Sequence, residues 1–319
     1  MFAAMNRRNL LIRAAGLAAV VGGAWWARET LFWPAPDLAF GPDGATPWLP
    51  YARRANVPTV KARVEGREVI ALIDTGAQYS VIDRRLVEAL PPQRRSLFDM
   101  PLVAYGVGGG SQMGRGATVE VTLPGLRVDR LRAAILDLGP LASPAGLNTP
   151  LILGRDVLEH AVLALDPQRR HVRLIAREAF VKPPDLAPAE VRGSGGGLVA
   201  QVTVEGAAVD AVIDTGASSL LALDQATAGA AGLLDGRPRD SGTSLVLGGA
   251  MRAAVVEART VTFAGHLYRR VQVGVFEQPP LPNFPGALVG MEAFAARRAA
   301  IDLGAGALLV SQPLDLTVG

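Results

Sequence analysis

Along most of the chain apolar and polar residues alternate with a period of two. Val60, Ala62 and Val64 are separated by Lys61 and Arg63, and Val202 and Val204 flank Thr203. The runs TVEVTL (118–123) and TVTF (260–263) continue the pattern. Such alternation predicts half-buried strands. Gly66 and Gly206 fall where hairpin turns are needed, and VIALID (69–74) and VDAVID (209–214) are apolar runs of strand length that end on an aspartate. Stretches with helical spacing are short: 83–90, 155–161 and 291–299. The pattern predicts a β-rich fold with a few short helices.

Two Pro/Gly-rich breaks divide this pattern. Residues 28–57 read as an irregular linker arm, and residues 177–197, ending in Gly195-Gly196-Gly197, read as a linker between two units. The units are 58–176 and 198–319, and they repeat one another. VEGREVIALIDTGA (64–77) and VEGAAVDAVIDTGA (204–217) are identical at 10 of 14 positions. The same offset of 140 carries Gly108-Gly109 onto Gly248-Gly249 and Gly125 onto Gly265. Farther on, LILGRDVL (151–158) matches ALVGMEAF (287–294) at an offset of 136, as does 163–174 with 299–310. Four blocks in one order mean an internal duplication.

Composition narrows the chemistry. With 319 residues, half of them hydrophobic, the chain buries a substantial core. The formal net charge of +3 is carried by Arg7, Arg8 and Arg13 within an acid-free N-terminus, so the body is neutral and nucleic acid is not an expected partner. The chain has no cysteine, and His160, His171 and His266 are scattered, so neither a thiol nucleophile nor a metal centre is expected, and no cofactor. Residues 1–27 join Arg7-Arg8 to an uncharged apolar stretch, Ala14–Trp26. This is similar to a twin-arginine export signal, and the expected location is the periplasm or envelope. If uncleaved, the segment would associate the protein with the inner membrane.

An aspartate ending a buried strand is costly unless something compensates its charge. A turn in which Asp74 bonds the following backbone explains one Asp-Thr-Gly. Two copies point further: if the halves pair about a pseudo-twofold axis, Asp74 and Asp214 meet. Adjacent carboxylates share one proton, so one serves as base and the other as acid for water attack on an amide. Gly76 and Gly216 allow close backbone approach, and the buried hydroxyls of Thr75 and Thr215 need partners across the interface. Asp156 and Glu292 read as acids at helix N-termini, and Asp166 and Asp302 as turn residues.

LIDTGAQYSVI (72–82), YGVGGGSQMG (105–114) and LILGRDVL (151–158) together resemble the retropepsin group of aspartic proteases. The resemblance spans most of 58–312 and implies an all-β, bilobed acid-protease fold built from two retropepsin-like β-barrel halves. It implies Asp74 and Asp214 as the catalytic pair, Thr75 and Thr215 as a hydroxyl grip, and Gly106, Val107, Gly108 and Gly109 as a flap, with Gly248 and Gly249 aligned in the second half. Arg155 matches the family's Gly-Arg pair, whereas the second half has Met291. The implied activity is endopeptidase cleavage of an extended peptide or protein substrate, with a monomer sufficient. The alternative is a catalytically silent peptide-binding module of the same fold, and a third reading is a self-processing maturation protease. Ala77 and Ala217 offer the carboxylates no side-chain hydrogen bond, so their pKa values are expected to be less depressed, and the pH optimum mildly acidic to neutral.

Overall fold

The computed structural model describes residues 12–14, 33–105, 111–195, 197–246, 249–277 and 285–313. Gly106, Val107, Gly108, Gly109 and Gly248, expected in the flaps, lie outside these residues, as does most of the N-terminal segment 1–27.

Each half closes a six-stranded barrel. In the first half the ring runs through Leu126–Leu136, Val81–Asp83, Leu151–Leu153, Arg67–Ile73, Thr59–Val64 and Ser111–Leu123, which pairs back onto Leu126–Leu136. In the second half it runs through His266–Phe276, Leu221–Leu223, Ala287–Val289, Ala207–Ile213, Gly197–Val204 and Gly249–Phe263, again closed by a hairpin pairing. The alternation on these strands sends one set of side chains inward. Val60, Val64, Val202 and Val204 are fully buried, while Lys61, Arg63, Gln201 and Thr203 face outward. The first hairpin of each half turns on Glu65-Gly66 or Glu205-Gly206, all four residues with positive φ. That geometry matches the strand twist and favours glycine at the second position.

A third sheet joins the halves. Its order is Leu186–Ala189, Ala307–Ser311, Ala299–Asp302, Ala161–Asp166, His171–Ala176 and Leu49–Pro50. At its centre Leu163 pairs with Ile301, Ala164 with Ala300 and Leu165 with Ala299. A shift of 136 residues maps 163–165 onto 299–301, so Ala164 pairs with its own equivalent. The pseudo-twofold axis passes through that pair.

Both Pro/Gly-rich breaks differ from the expectation of loose chain. In the arm, Asp37–Phe40 pairs with Leu126–Leu136, Leu49–Pro50 pairs with His171–Val172, and Trp33 is buried. In the linker, Leu186–Ala189 pairs with Ala307–Ser311, and Val191–Ser194 with Gly197–Val204. Pro188 is tolerated because that strand is at an edge of the central sheet. The expected helices shrink to Arg84–Glu88, Arg155–Leu158 and a 3₁₀ turn Met291–Phe294, and Gln225–Ala230 forms a further one. Asp166 and Asp302 do open turns, each accepting from a backbone N–H three residues on. Among the described residues no helix is long and apolar enough to cross a membrane.

The repeated Gly154 and Gly290 fix the crossing of the third motif past the Asp-Thr-Gly turn. A Cβ on Gly154 would meet the Tyr79 carbonyl carbon at 2.6 Å, and one on Gly290 the Ser219 oxygen at 2.3 Å. Gly154→Ala and Gly290→Ala are expected to destabilise the fold by about 1–3 kcal/mol. Gly193→Ala, with nothing within 4 Å of its Cβ, is the control. Urea denaturation of the three variants checks the ranking.

Candidate active site

Each Asp-Thr-Gly turn follows a strand held in parallel register by the third motif: Arg67–Ile73 lies against Leu151–Leu153, and Ala207–Ile213 against Ala287–Val289. The ladder continues one step past each strand, with Asp74 N–H donating to Leu153 O at 3.0 Å and Asp214 N–H to Val289 O at 2.9 Å. The aspartates are thereby fixed at the strand ends nearest the partner half.

The two turns interlock through their threonines. Thr75 N–H donates to Thr215 Oγ1 and Thr215 N–H to Thr75 Oγ1, both at 3.0 Å. Thr75 Oγ1 in turn donates to Ile213 O at 2.9 Å, and Thr215 Oγ1 to Ile73 O at 2.8 Å. Every polar atom of these two fully buried hydroxyls has a partner, and every partner is in the other half.

Asp74 and Asp214 are brought together as the repeat predicted. A Cβ on Gly76 would meet the Asp214 carboxyl at 2.7–2.8 Å, and a Cβ on Gly216 the Asp74 carboxyl at 2.6–2.8 Å. Each carboxylate thus rests on the other half's glycine, which no larger residue replaces. Asp74 Oδ1 accepts from Gly76 N–H at 2.8 Å and Ala77 N–H at 3.1 Å. Asp214 Oδ1 accepts from Gly216 N–H at 2.8 Å and Ala217 N–H at 3.2 Å. No group outside the pair donates to either Oδ2 among the described residues, although both atoms are buried. A proton shared between the two carboxyls satisfies both.

Electrostatics makes the pair unequal. Burial raises the Asp74 pKa, while a hydrogen bond from Asp214, the backbone N–H groups and the charge of Arg155 oppose the rise. Asp214 is raised well above the usual carboxylate range by burial and then by the charge of Asp74. The two carboxyls therefore titrate as one unit, both above the ordinary carboxylate range. Arg155 is buried and donates to Gly195 O at 2.6 Å. Its equivalent, Met291, brings no charge to the other half, so no symmetric ion pair forms at this position.

Behind the turns lies a set of contacts that the sequence pattern did not reveal. The Asp156 carboxylate accepts from Ser80 N–H at 2.9 Å, Ser80 Oγ at 2.7 Å and Trp33 Nε1 at 3.2 Å. Burial lifts its pKa to about 6 against these donors. Glu292 makes one equivalent contact, accepting from Leu220 N–H at 3.2 Å. These acids sit at helix starts as expected, yet they brace the segment after each Asp-Thr-Gly turn. Their repetition at the 136 offset was the available signal. Of the expected flap residues, only Gly249 is described: it starts the strand Gly249–Phe263 and pairs with Val246. In the first half Tyr105 pairs with Ser111 across the corresponding hairpin. No cluster of three metal-ligating side chains occurs among the described residues.

Thr75→Val removes one hydroxyl and leaves Thr215 N–H and Ile213 O unpaired in a dry interface. A loss of about 2–5 kcal/mol is expected, from two buried polar groups at roughly 1–3 kcal/mol each. Thr75→Ser, which keeps the hydroxyl, recovers most of it. Urea unfolding of both variants measures the difference.

This geometry agrees with comparison to known proteins. A model of the aspartyl protease family matches residues 60–157 and again 200–293, the two halves of the repeat. A search of curated protein sequences finds no match. Among solved structures, the crystal structure of Basic 7S globulin from soybean superposes with a TM-score of 0.50 at 10% identity, covering 86% of this chain and 94% of that one. That likeness is one of fold. With the family pattern matched in both lobes and the bilobed fold in place, the chain belongs to the retropepsin- and pepsin-like aspartyl protease family.

Proposed function

We propose that the protein is an exported endopeptidase in which Asp74 and Asp214 activate one water molecule against a peptide bond. The observation that carries this reading is the pair of buried carboxyls, each packed on the other half's glycine, whose Oδ2 atoms no group outside the pair reaches among the described residues. Asp74, beside Arg155, takes a proton from the water, whose oxygen bonds to the carbonyl carbon. Asp214 gives its proton to the carbonyl oxygen, forming a gem-diol. Collapse breaks the C–N bond as Asp74 returns its proton to the nitrogen and Asp214 recovers one from the diol. The dyad ends as it began, with no metal and no covalent intermediate. The substrate is an extended peptide lying between the lobes under the two long hairpins, and one chain supplies both carboxylates.

The active form holds one proton on the pair. Both pKa values are raised, so this form persists above the ordinary carboxylate range; activity falls when the shared proton leaves at higher pH and when the second carboxylate protonates at lower pH. A bell-shaped kcat/KM profile centred in mildly acidic to neutral solution is expected, and activity confined to strong acid would refute it. Asp74→Asn and Asp214→Asn, made in the full chain and assayed on a mixed peptide library, should each lower cleavage by about 10²–10⁴-fold. Unchanged cleavage in either variant overturns the mechanism. Peptide binding without cleavage by the unaltered protein would instead make it a silent binding module.

Export rests on the sequence of residues 1–27, with Arg7-Arg8 before an apolar stretch. Fused to a folded reporter, this segment should deliver it to the periplasm, and Arg7→Lys with Arg8→Lys should retain it in the cytoplasm. Fractionation of the reporter decides the matter.

A further inference from the structure

A cavity of about 870 Å³ opens on the outer face of the first lobe, and no residue of either Asp-Thr-Gly turn lines it. Its size is in the range of small-molecule sites, roughly 300–1,000 Å³. The floor is the outer face of the hairpin 59–73, where Lys61 pairs with Ile70 and Arg63 with Glu68. The walls come from the short helix Arg84–Glu88, through Arg85 and Leu86, and from the loop that carries Ala142, Pro144 and Pro150.

The lining holds five cations, Arg53, Lys61, Arg63, Arg67 and Arg85, against two acids, Glu68 and Asp83. Arg63 is paired with Glu68 at 2.9 Å, and Arg67 reaches Ala89 O. Asp83 is spent on the backbone N–H groups of Arg85 and Leu138. Among the described residues the side chains of Lys61 and Arg85 have no partner, and Arg53 Nε is buried without one. Ile70, Ala142 and Pro150, all half-buried, leave an apolar surface beside these cations.

The fold does not require this arrangement, because the second lobe builds the same elements without it. At the 140 offset, Lys61 becomes Gln201, Arg63 becomes Thr203, Arg67 becomes Ala207 and Arg85 becomes Gln225. Ile70 becomes Asp210, which is ion-paired with Arg192. The wall is also particular to the first lobe: residues 137–150 join strands that residues 277–286 join in the second, a loop four residues longer. Two cations without a partner among the described residues and a third with an unpaired Nε, beside an apolar floor, are not matched by the residues at the equivalent positions of the twin lobe.

We propose that this cavity binds an amphiphilic anion, a carboxylate or phosphate head group on an apolar chain. Lys61, Arg85 and Arg53 hold the head, and Ile70, Ala142 and Pro150 pack the chain. The proposal is independent of the peptidase reading.

The test is calorimetric titration of the full chain with sodium octanoate, octyl phosphate, octan-1-ol and sodium acetate. One saturable site is expected for octanoate or octyl phosphate, the tighter of the two identifying the head group. Octan-1-ol and acetate, each lacking one half of the recognition, should bind at least about tenfold more weakly. Lys61→Gln with Arg85→Gln should weaken the anionic amphiphile about tenfold or more, with unchanged melting, since the twin lobe carries glutamine at both positions. Ile70→Asp, again the residue of the twin lobe, should weaken it comparably. Asp74→Asn should leave binding unchanged, which separates this cavity from the cleft between lobes. Equal binding of octan-1-ol, indifference to the charge substitutions, or no binding of either anion overturns the proposal.

Discussion

Everything in this molecule is arranged around two carboxyl groups that would repel each other if both were charged. Asp74 and Asp214 are buried at the contact between lobes, where water screens little and unit charges a few ångströms apart interact strongly. Each Oδ1 is satisfied by two backbone N–H groups of its own turn. The glycines at 76 and 216 make the approach sterically possible, and the threonines hold it in place. A proton between the Oδ2 atoms then relieves both the repulsion and the missing hydrogen bonds. The fold holds in register a pair that is stable only when singly protonated.

Symmetry supplies that pair, and departures from symmetry make it useful. The axis through Ala164 and Ala300 and the reciprocal threonine bonds treat the halves alike. Arg155 does not: it places a buried cation near Asp74, where the second half has only Met291. The brace behind the first turn links Ser80, Trp33 and Asp156, and in the second half Leu220 N–H donates to Glu292. A symmetric dyad has no preferred base. Arg155 breaks that equivalence, its charge acting on both carboxyls from one half.

Much of this was legible in the sequence because duplication writes each constraint twice. The Asp-Thr-Gly-Ala turns, the crossing glycines Gly154 and Gly290 and the hairpin glycines Gly66 and Gly206 stand at fixed offsets, so their roles followed from pairing the copies. Single-copy features were hidden. Trp33 and the strand Asp37–Phe40 lie in a segment whose prolines and glycines suggested loose chain, and only packing against the first barrel orders them. The linker likewise reads as flexible by composition, yet edge positions on two sheets accept it, Pro188 included. Local composition reports what a segment does alone, and these segments are ordered by neighbours distant in sequence.

The same comparison of copies separates what the fold needs from what this lobe adds. Apolar positions facing the barrel interiors are kept in kind: Val60, Ala62 and Val64 answer Ala200, Val202 and Val204, and all are buried. The outward positions between them are free to differ, and there the lobes diverge most, with Lys61, Arg63 and Ile70 against Gln201, Thr203 and Asp210. Random drift on an exposed face would scatter charge and leave each cation to find an acid or open water. Here the basic residues converge on one concavity, beside an apolar floor and under a loop four residues longer than its twin. The body of the chain sums to no net charge, so a local excess of positive charge in a hollow focuses its field on whatever enters. Divergence that is concentrated, concave and of one sign indicates a site, whereas the shared interior records only the barrel that carries it.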